Sequence, residues 1–178
     1  KATTGGWVLV AQTAGSEIIL GGSLTTFSGR LQGFNSNNPF IILTDGISTP
    51  RLFNGTTFTL ITHTNLPTST RPTISGIYDN RLFLAYGPSV FFSAVGDPLD
   101  FGGLGNAGEL LIGDTVTNII YGPGNTLILT TNSFTNILKY IDFTDDTWIL
   151  QNDTFSRTTG AYSKSGQSFL GEVYFASK

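Results

Sequence analysis

Short apolar runs broken by Gly, Pro, Asn and Asp set the pattern along this chain. Such runs read as strands punctuated by tight turns. Phe40-Ile41-Ile42-Leu43-Thr44 lies between Pro39 and Asp45-Gly46 and reads as a buried strand. Arg51-Leu52-Phe53 follows, then Asn54-Gly55, then Thr57-Phe58-Thr59-Leu60-Ile61. Asn-Gly between two such runs predicts a hairpin with a type I′ turn, because both central residues of that turn need positive φ. Residues 74–78 add a strand. Asp79-Asn80 turns the chain into 81–86, and Gly87-Pro88 turns it again into 90–93. Gly96-Asp97-Pro98 makes a further turn, Phe101 anchors the loop on the core, and 102–108 reads as a flexible connector.

The scheme then repeats. Residues 116–121 form a strand, Gly122-Pro123-Gly124-Asn125 a turn, and 127–129 and 147–150 two more strands. Between these, Phe134, Ile137, Leu138 and Ile141 fall at helical spacing, so a short helix is one reading. The other is a strand over 134–140, preferred because the run occupies the slot held by 90–93. Residues 1–30 are weakly patterned, with candidate strands at 7–10, 17–20 and 24–27. At the other end, 172–176 opens another unit.

Aligned on the starts of their strong strands, Phe40, Arg81, Thr126 and Glu172, the units lie 41, 45 and 46 residues apart. A period of this size, with several short strands in each unit, is the footprint of a β-propeller blade. One blade cannot cover both its faces, and stacking blades around an axis does so. A β-sandwich is the alternative, and the near-constant period favours the propeller. The expected fold is all-β, with propeller-like blades of short antiparallel strands. It forms a single domain or segment over 1–178, with units near 38–72, 73–108, 109–157 and 158–178. The chain holds no Met and runs from Lys1 to Lys178, so a piece of a longer polypeptide is expected.

Composition narrows the function classes. Charged residues make up 12%, and Thr, Ser and Asn supply the polarity instead, as suits half-exposed pleated surfaces. The nine Lys and Arg residues are scattered and the net charge is −3, so no basic stripe is present to grip nucleic-acid phosphates. A mildly acidic wall is compatible with a channel along which a polyanion slides. There is no Cys, and no apolar run approaches the roughly 20 residues that span a bilayer as a helix. No membrane segment is expected.

The run Asn80-Arg81-Leu82-Phe83, continued by Phe91-Phe92-Ser93-Ala94-Val95-Gly96-Asp97-Pro98-Leu99-Asp100-Phe101, resembles a blade found in structural proteins of short-tailed bacteriophages. The order of Asn118-Ile119-Ile120-Tyr121, 127–130, 133–140 and 160–174 resembles the same tail hub, nozzle and DNA-stabilisation proteins. The likeness covers roughly 40–178. Val95 departs from it, since that family usually has Pro there. The resemblance implies a virion protein of the phage tail with no cofactor. Its partners would be further copies in a homo-oligomeric ring, other tail and portal-adaptor proteins, and viral DNA in passive contact.

Candidate chemical residues have simpler readings. His63, the only His, sits in a polar Thr-rich stretch without a Gly-x-Ser-x-Gly elbow, and reads as a surface loop residue. Asp142, Asp145 and Asp146 lack the Gly and closing Glu of a Ca²⁺ loop and read as a hairpin turn. Asp97 and Asp100 have the look of a paired-carboxylate site, but turn chemistry explains them. Gly102-Gly103-Leu104-Gly105 lacks the Lys-Ser/Thr of a P-loop. Asn54-Gly55-Thr56 and Asn152-Asp153-Thr154 match a glycosylation pattern that would be idle in a phage protein. Phe53, Phe83, Phe91, Phe92, Phe101, Tyr121, Phe134, Trp148 and Phe175 read as core between blades. No catalytic, cofactor-binding or metal-ligating residue is assigned, and no enzyme is expected. The functional expectation is a hub or nozzle component helping to form the conduit for DNA ejection. The alternative is a propeller-type adhesin or lectin for host-surface glycan.

Overall fold

The computed structural model describes residues 2–3, 6–10, 17–29, 39–142, 147–151 and 158–178. The protein is all-β. Among the described residues there is no α-helix, and no sheet closes into a barrel.

Strands β1 (Ala2–Thr3), β2 (Gly6–Val10) and β3 (Glu17–Ile19) make a three-stranded sheet. Three four-stranded sheets follow, each built from consecutive strands in spatial order. The first holds β4 (Thr25–Gly29), β5 (Phe40–Thr44), β6 (Arg51–Phe53) and β7 (Phe58–Leu60). The second holds β8 (Ile74–Tyr78), β9 (Arg81–Tyr86), β10 (Ser89–Phe92) and β11 (Gly108–Leu111). The third holds β12 (Val116–Gly122), β13 (Thr126–Thr131), β14 (Thr135–Asp142) and β15 (Thr147–Gln151). A hairpin of β16 (Gln167–Phe169) and β17 (Glu172–Tyr174) comes last. Strands β5, β9, β13 and β17 start at the four residues on which the sequence repeat aligns, and each is the second strand of its sheet.

Two local expectations change, the first and third below, and the preferred strand reading of an ambiguous run holds. First, Asn54-Gly55 does not form a two-residue type I′ turn. The paired residues are Phe53 and Phe58, so the loop holds four residues, and only Gly55 has positive φ (95°). The Asn54 side chain replaces that turn geometry, its Oδ1 accepting from Thr56 N at 3.0 Å and Thr57 N at 2.8 Å. The type I′ pattern occurs instead at Asp79 (φ 47°) and Asn80 (φ 55°), between the paired residues Tyr78 and Arg81. Short polar side chains tolerate this left-handed backbone best after glycine. Second, the ambiguous run at 134–140 is a strand, paired to β13 on one side and β15 on the other. Helical spacing of apolar residues yields here to two full ladders of main-chain hydrogen bonds. Third, the connector at 102–108 is ordered as a 3₁₀ turn, Gly103–Gly105, that leads into β11. Gly108-Glu109-Leu110-Leu111 has little β propensity, so no local signal marked it as a strand.

The chain divides into two compact units, 1–86 with 91–108, and 87–90 with 109–178. In the first, the sheets containing β5 and β9 enclose a core that includes Phe40, Ile42, Leu82, Leu84, Tyr86 and Phe101. Every residue of β9 is buried. Leu82, Leu84 and Tyr86 share one face because side chains alternate along a strand, which leaves Arg81, Phe83 and Ala85 on the other. In the second unit, Val173 of β17 packs on Ile120, Ile128 and Ile137, so the last hairpin lies on the face of the third sheet.

One backbone link recurs. The chain leaving a second strand bonds the segment that leads into the next sheet: Gly46 N to Pro72 O at 3.0 Å, Val116 N to Gly87 O at 2.9 Å, and Ala161 N to Thr131 O at 2.9 Å.

Candidate functional site

The Asn80–Phe101 motif closes on a buried cation. The type I′ turn sends Arg81 inward, where it has no solvent exposure. Its Nη1 donates to Ser93 O at 3.1 Å and to Asn106 O at 2.6 Å, and the guanidinium lies 5.5 Å from the centre of the Phe92 ring. A planar guanidinium can serve several carbonyls and an aromatic face together, which an ammonium does poorly. Ser93 is buried beside it. The hydroxyl accepts from Leu82 N and donates to Ala94 O, each at 3.0 Å.

The exit loop is fastened to this clasp by its own main chain. Gly96 N donates to Asn80 O and Ala94 N to Asp100 O, each at 2.8 Å. Asp97 Oδ1 accepts from Leu99 N at 2.9 Å, and Asp100 Oδ1 from Gly102 N at 2.7 Å. Both carboxylates are therefore engaged in turns. A Cβ on Gly105 would lie 2.5 Å from the Ala94 Cβ, so the loop closes only because glycine stands there. Phe101 is buried in the core, and Asn65 Nδ2 donates to its carbonyl at 3.0 Å.

No protein-family model, curated protein or solved structure matches this chain.

The other residues singled out in the sequence have structural roles or fall outside view. His63 Nδ1 accepts from Asn65 N at 3.1 Å, and its carbonyl accepts from Leu66 N at 3.1 Å, which makes it a loop-forming residue. Gly102 leads into the 3₁₀ turn with its N–H held by Asp100, and Leu104 at the tip is fully exposed. Asp145, Asp146 and the 152–154 glycosylation pattern lie outside the described residues. Asp142 ends β14. Among the described residues, no group of three His, Cys, Asp or Glu could hold a metal ion.

A small cleft of about 100 Å³ is lined in part by Thr49, His63, Thr68, Arg71 and Tyr86. It is well below the size of a typical ligand pocket. Burial pushes the Tyr86 hydroxyl up to about 12, although Arg71 pulls the other way. The Arg71 Nη1 is occupied by the carbonyls of Thr68 at 2.8 Å and Thr70 at 3.0 Å.

Two further polar centres escaped sequence reasoning. Asn118 is buried in the third sheet. Its Nδ2 donates to Thr130 Oγ1 at 2.7 Å and Tyr162 O at 3.1 Å, and its Oδ1 accepts from Gly166 N at 2.8 Å. It thereby ties the segment before β16 to β12 and β13. Asp45, just after β5, accepts from Ile47 N, Ser48 N, Ser48 Oγ and Gly21 N at 2.6–2.9 Å. Burial alone would raise its pKa, but these four donors outweigh burial and lower it. A lowered carboxylate pKa adds stability above the unfolded value of about 3.9, and that stability is lost as pH falls through the folded value. The Asp45→Asn variant should therefore lose about 1 kcal/mol at neutral pH and show a shallower loss of stability below about pH 4. Urea unfolding across the acid range reads both effects, and an unchanged acid limb would remove Asp45 from this role.

Proposed function

We propose that the chain contributes blades of a β-propeller to the tail hub or nozzle of a short-tailed bacteriophage, forming part of an oligomeric wall around the path of ejected DNA. The observation that carries this reading is the run of three four-stranded sheets, each made of consecutive strands, with second strands recurring at the sequence period. Propeller blades have this meander order, whereas sandwich connections commonly pass between two sheets. The recurring link from each second strand to the next sheet supports the same architecture.

The motif supports a building role over a chemical one. Arg81 and Ser93 hold main chain together, and Asp97 and Asp100 shape turns. The acidic balance and scattered bases suit a surface past which DNA moves without being gripped. Partners in this reading are further copies in a ring, neighbouring tail and portal-adaptor proteins, and DNA in passive contact. The location is the virion.

Electron microscopy of the purified protein, alone and on tail particles, tests the proposal. Copies arranged in a ring on the tail axis, with radially stacked four-stranded sheets, are the expected result. A monomer that gives a specific glycan-array signal would overturn it in favour of an adhesin.

A further inference from the structure

Asn54-Gly55 is the single Asn-Gly pair in the sequence, and no part of the proposed wall uses it. It lies at the exposed tip of the β6–β7 hairpin. A Cβ built on Gly55 would meet nothing within 4 Å, so no neighbouring group crowds the residue that follows Asn54. The Asn54 Oδ1 accepts from Thr56 N at 3.0 Å, Thr57 N at 2.8 Å and Thr57 Oγ1 at 3.3 Å. Donors already aimed at a carbonyl oxygen polarise it and stabilise negative charge that develops there.

We propose that Asn54 is the principal site of spontaneous deamidation in the folded protein. The Gly55 backbone nitrogen gives its proton to solvent base and attacks the Asn54 side-chain carbonyl carbon. A nitrogen–carbon bond forms, and the electron pair of the carbonyl moves onto Oδ1, where the three donors hold it. Collapse of this intermediate breaks the bond to Nδ2, which takes a proton and leaves as ammonia. The resulting five-membered succinimide is opened by water at either carbonyl, giving aspartate or isoaspartate. The net change is one water consumed and one ammonia released.

The two products differ in consequence. An aspartate in this place keeps an oxygen acceptor for the loop amides. Isoaspartate inserts an extra carbon into the main chain and shifts the register that places Phe53 and Phe58 in a stack at 4.4 Å.

Peptide mapping by mass spectrometry, on the intact folded chain aged at mildly alkaline pH, is the test. Conversion at Asn54 should outpace that at Asn106, Asn125 and Asn132 by at least about tenfold. The product should accept label from an isoaspartyl methyltransferase, and Gly55→Ala should slow the reaction by a similar factor. Circular dichroism of the same samples establishes that the chain is folded throughout. Folded protein in which Asn54 stays intact, or converts no faster than the three comparison sites, overturns the proposal. So does conversion that begins only after denaturant is added.

Discussion

Replacing Arg81 with alanine is expected to lower stability by about 3–5 kcal/mol. Two effects combine. The truncation leaves a cavity beside Phe92, and it strips a charged donor from the buried carbonyl of Ser93 and from that of Asn106. Hydrogen bonds to a charged donor are worth about 1.5–3 kcal/mol each, and an acceptor left unsatisfied inside costs about 1–3 kcal/mol. Arg81→Lys should rescue only part of this, since an ammonium can reach a carbonyl but lacks the planar guanidinium that lies against the Phe92 ring and fills the site. Urea unfolding measures the loss, and hydrogen exchange locates it. Amides of the 94–106 loop should lose protection first. A loss below about 1 kcal/mol would mean that Arg81 does not organise the motif.

Truncating Leu84 to alanine should cost about 2–5 kcal/mol. Leu84 is fully buried in the core that includes residues of the sheets containing β5 and β9. A cavity there is flanked by β-sheet held in ladders, so collapse around it is limited. Leu84→Ile, which conserves volume, should stay below about 1.5 kcal/mol. Thermal or urea unfolding of the two variants gives the comparison. Equal and small effects from both would show that the two sheets do not depend on packing against each other.

These two residues mark the boundary of what could be read in advance. Leu84 belongs to an apolar run between two turns, and both its strand and its burial follow from that pattern. Arg81 heads the same run, and its charge argues for a surface position. Its burial is explained by Asn106, 25 residues later in the connector, whose carbonyl it meets. Nothing local to either residue announces that meeting. Asn118 and Gly166 are a similar pair, joined across 48 residues. The turn chemistry of Asp97 and Asp100 was legible, because Asx-type bonds run to an amide two residues on. The turn at Asn54-Gly55 departs from the expected type I′ form for the same kind of reason. The side chain of Asn54 supplied a second local solution, and its bonds to Thr56 and Thr57 won over positive φ at both central positions.

The sequence by itself determined the all-β class, the position of most strands and the period on which the second strands recur. All of these depend on residues close together in the chain, where side-chain alternation and turn preference act directly. The tertiary structure alone decided that β11 is a strand, that the fourth unit packs Val173 on the third sheet, and that a cation sits in the middle of the motif. Each of those depends on groups brought together from distant stretches, whose hydrogen bonds and contacts exist only once the sheets have formed.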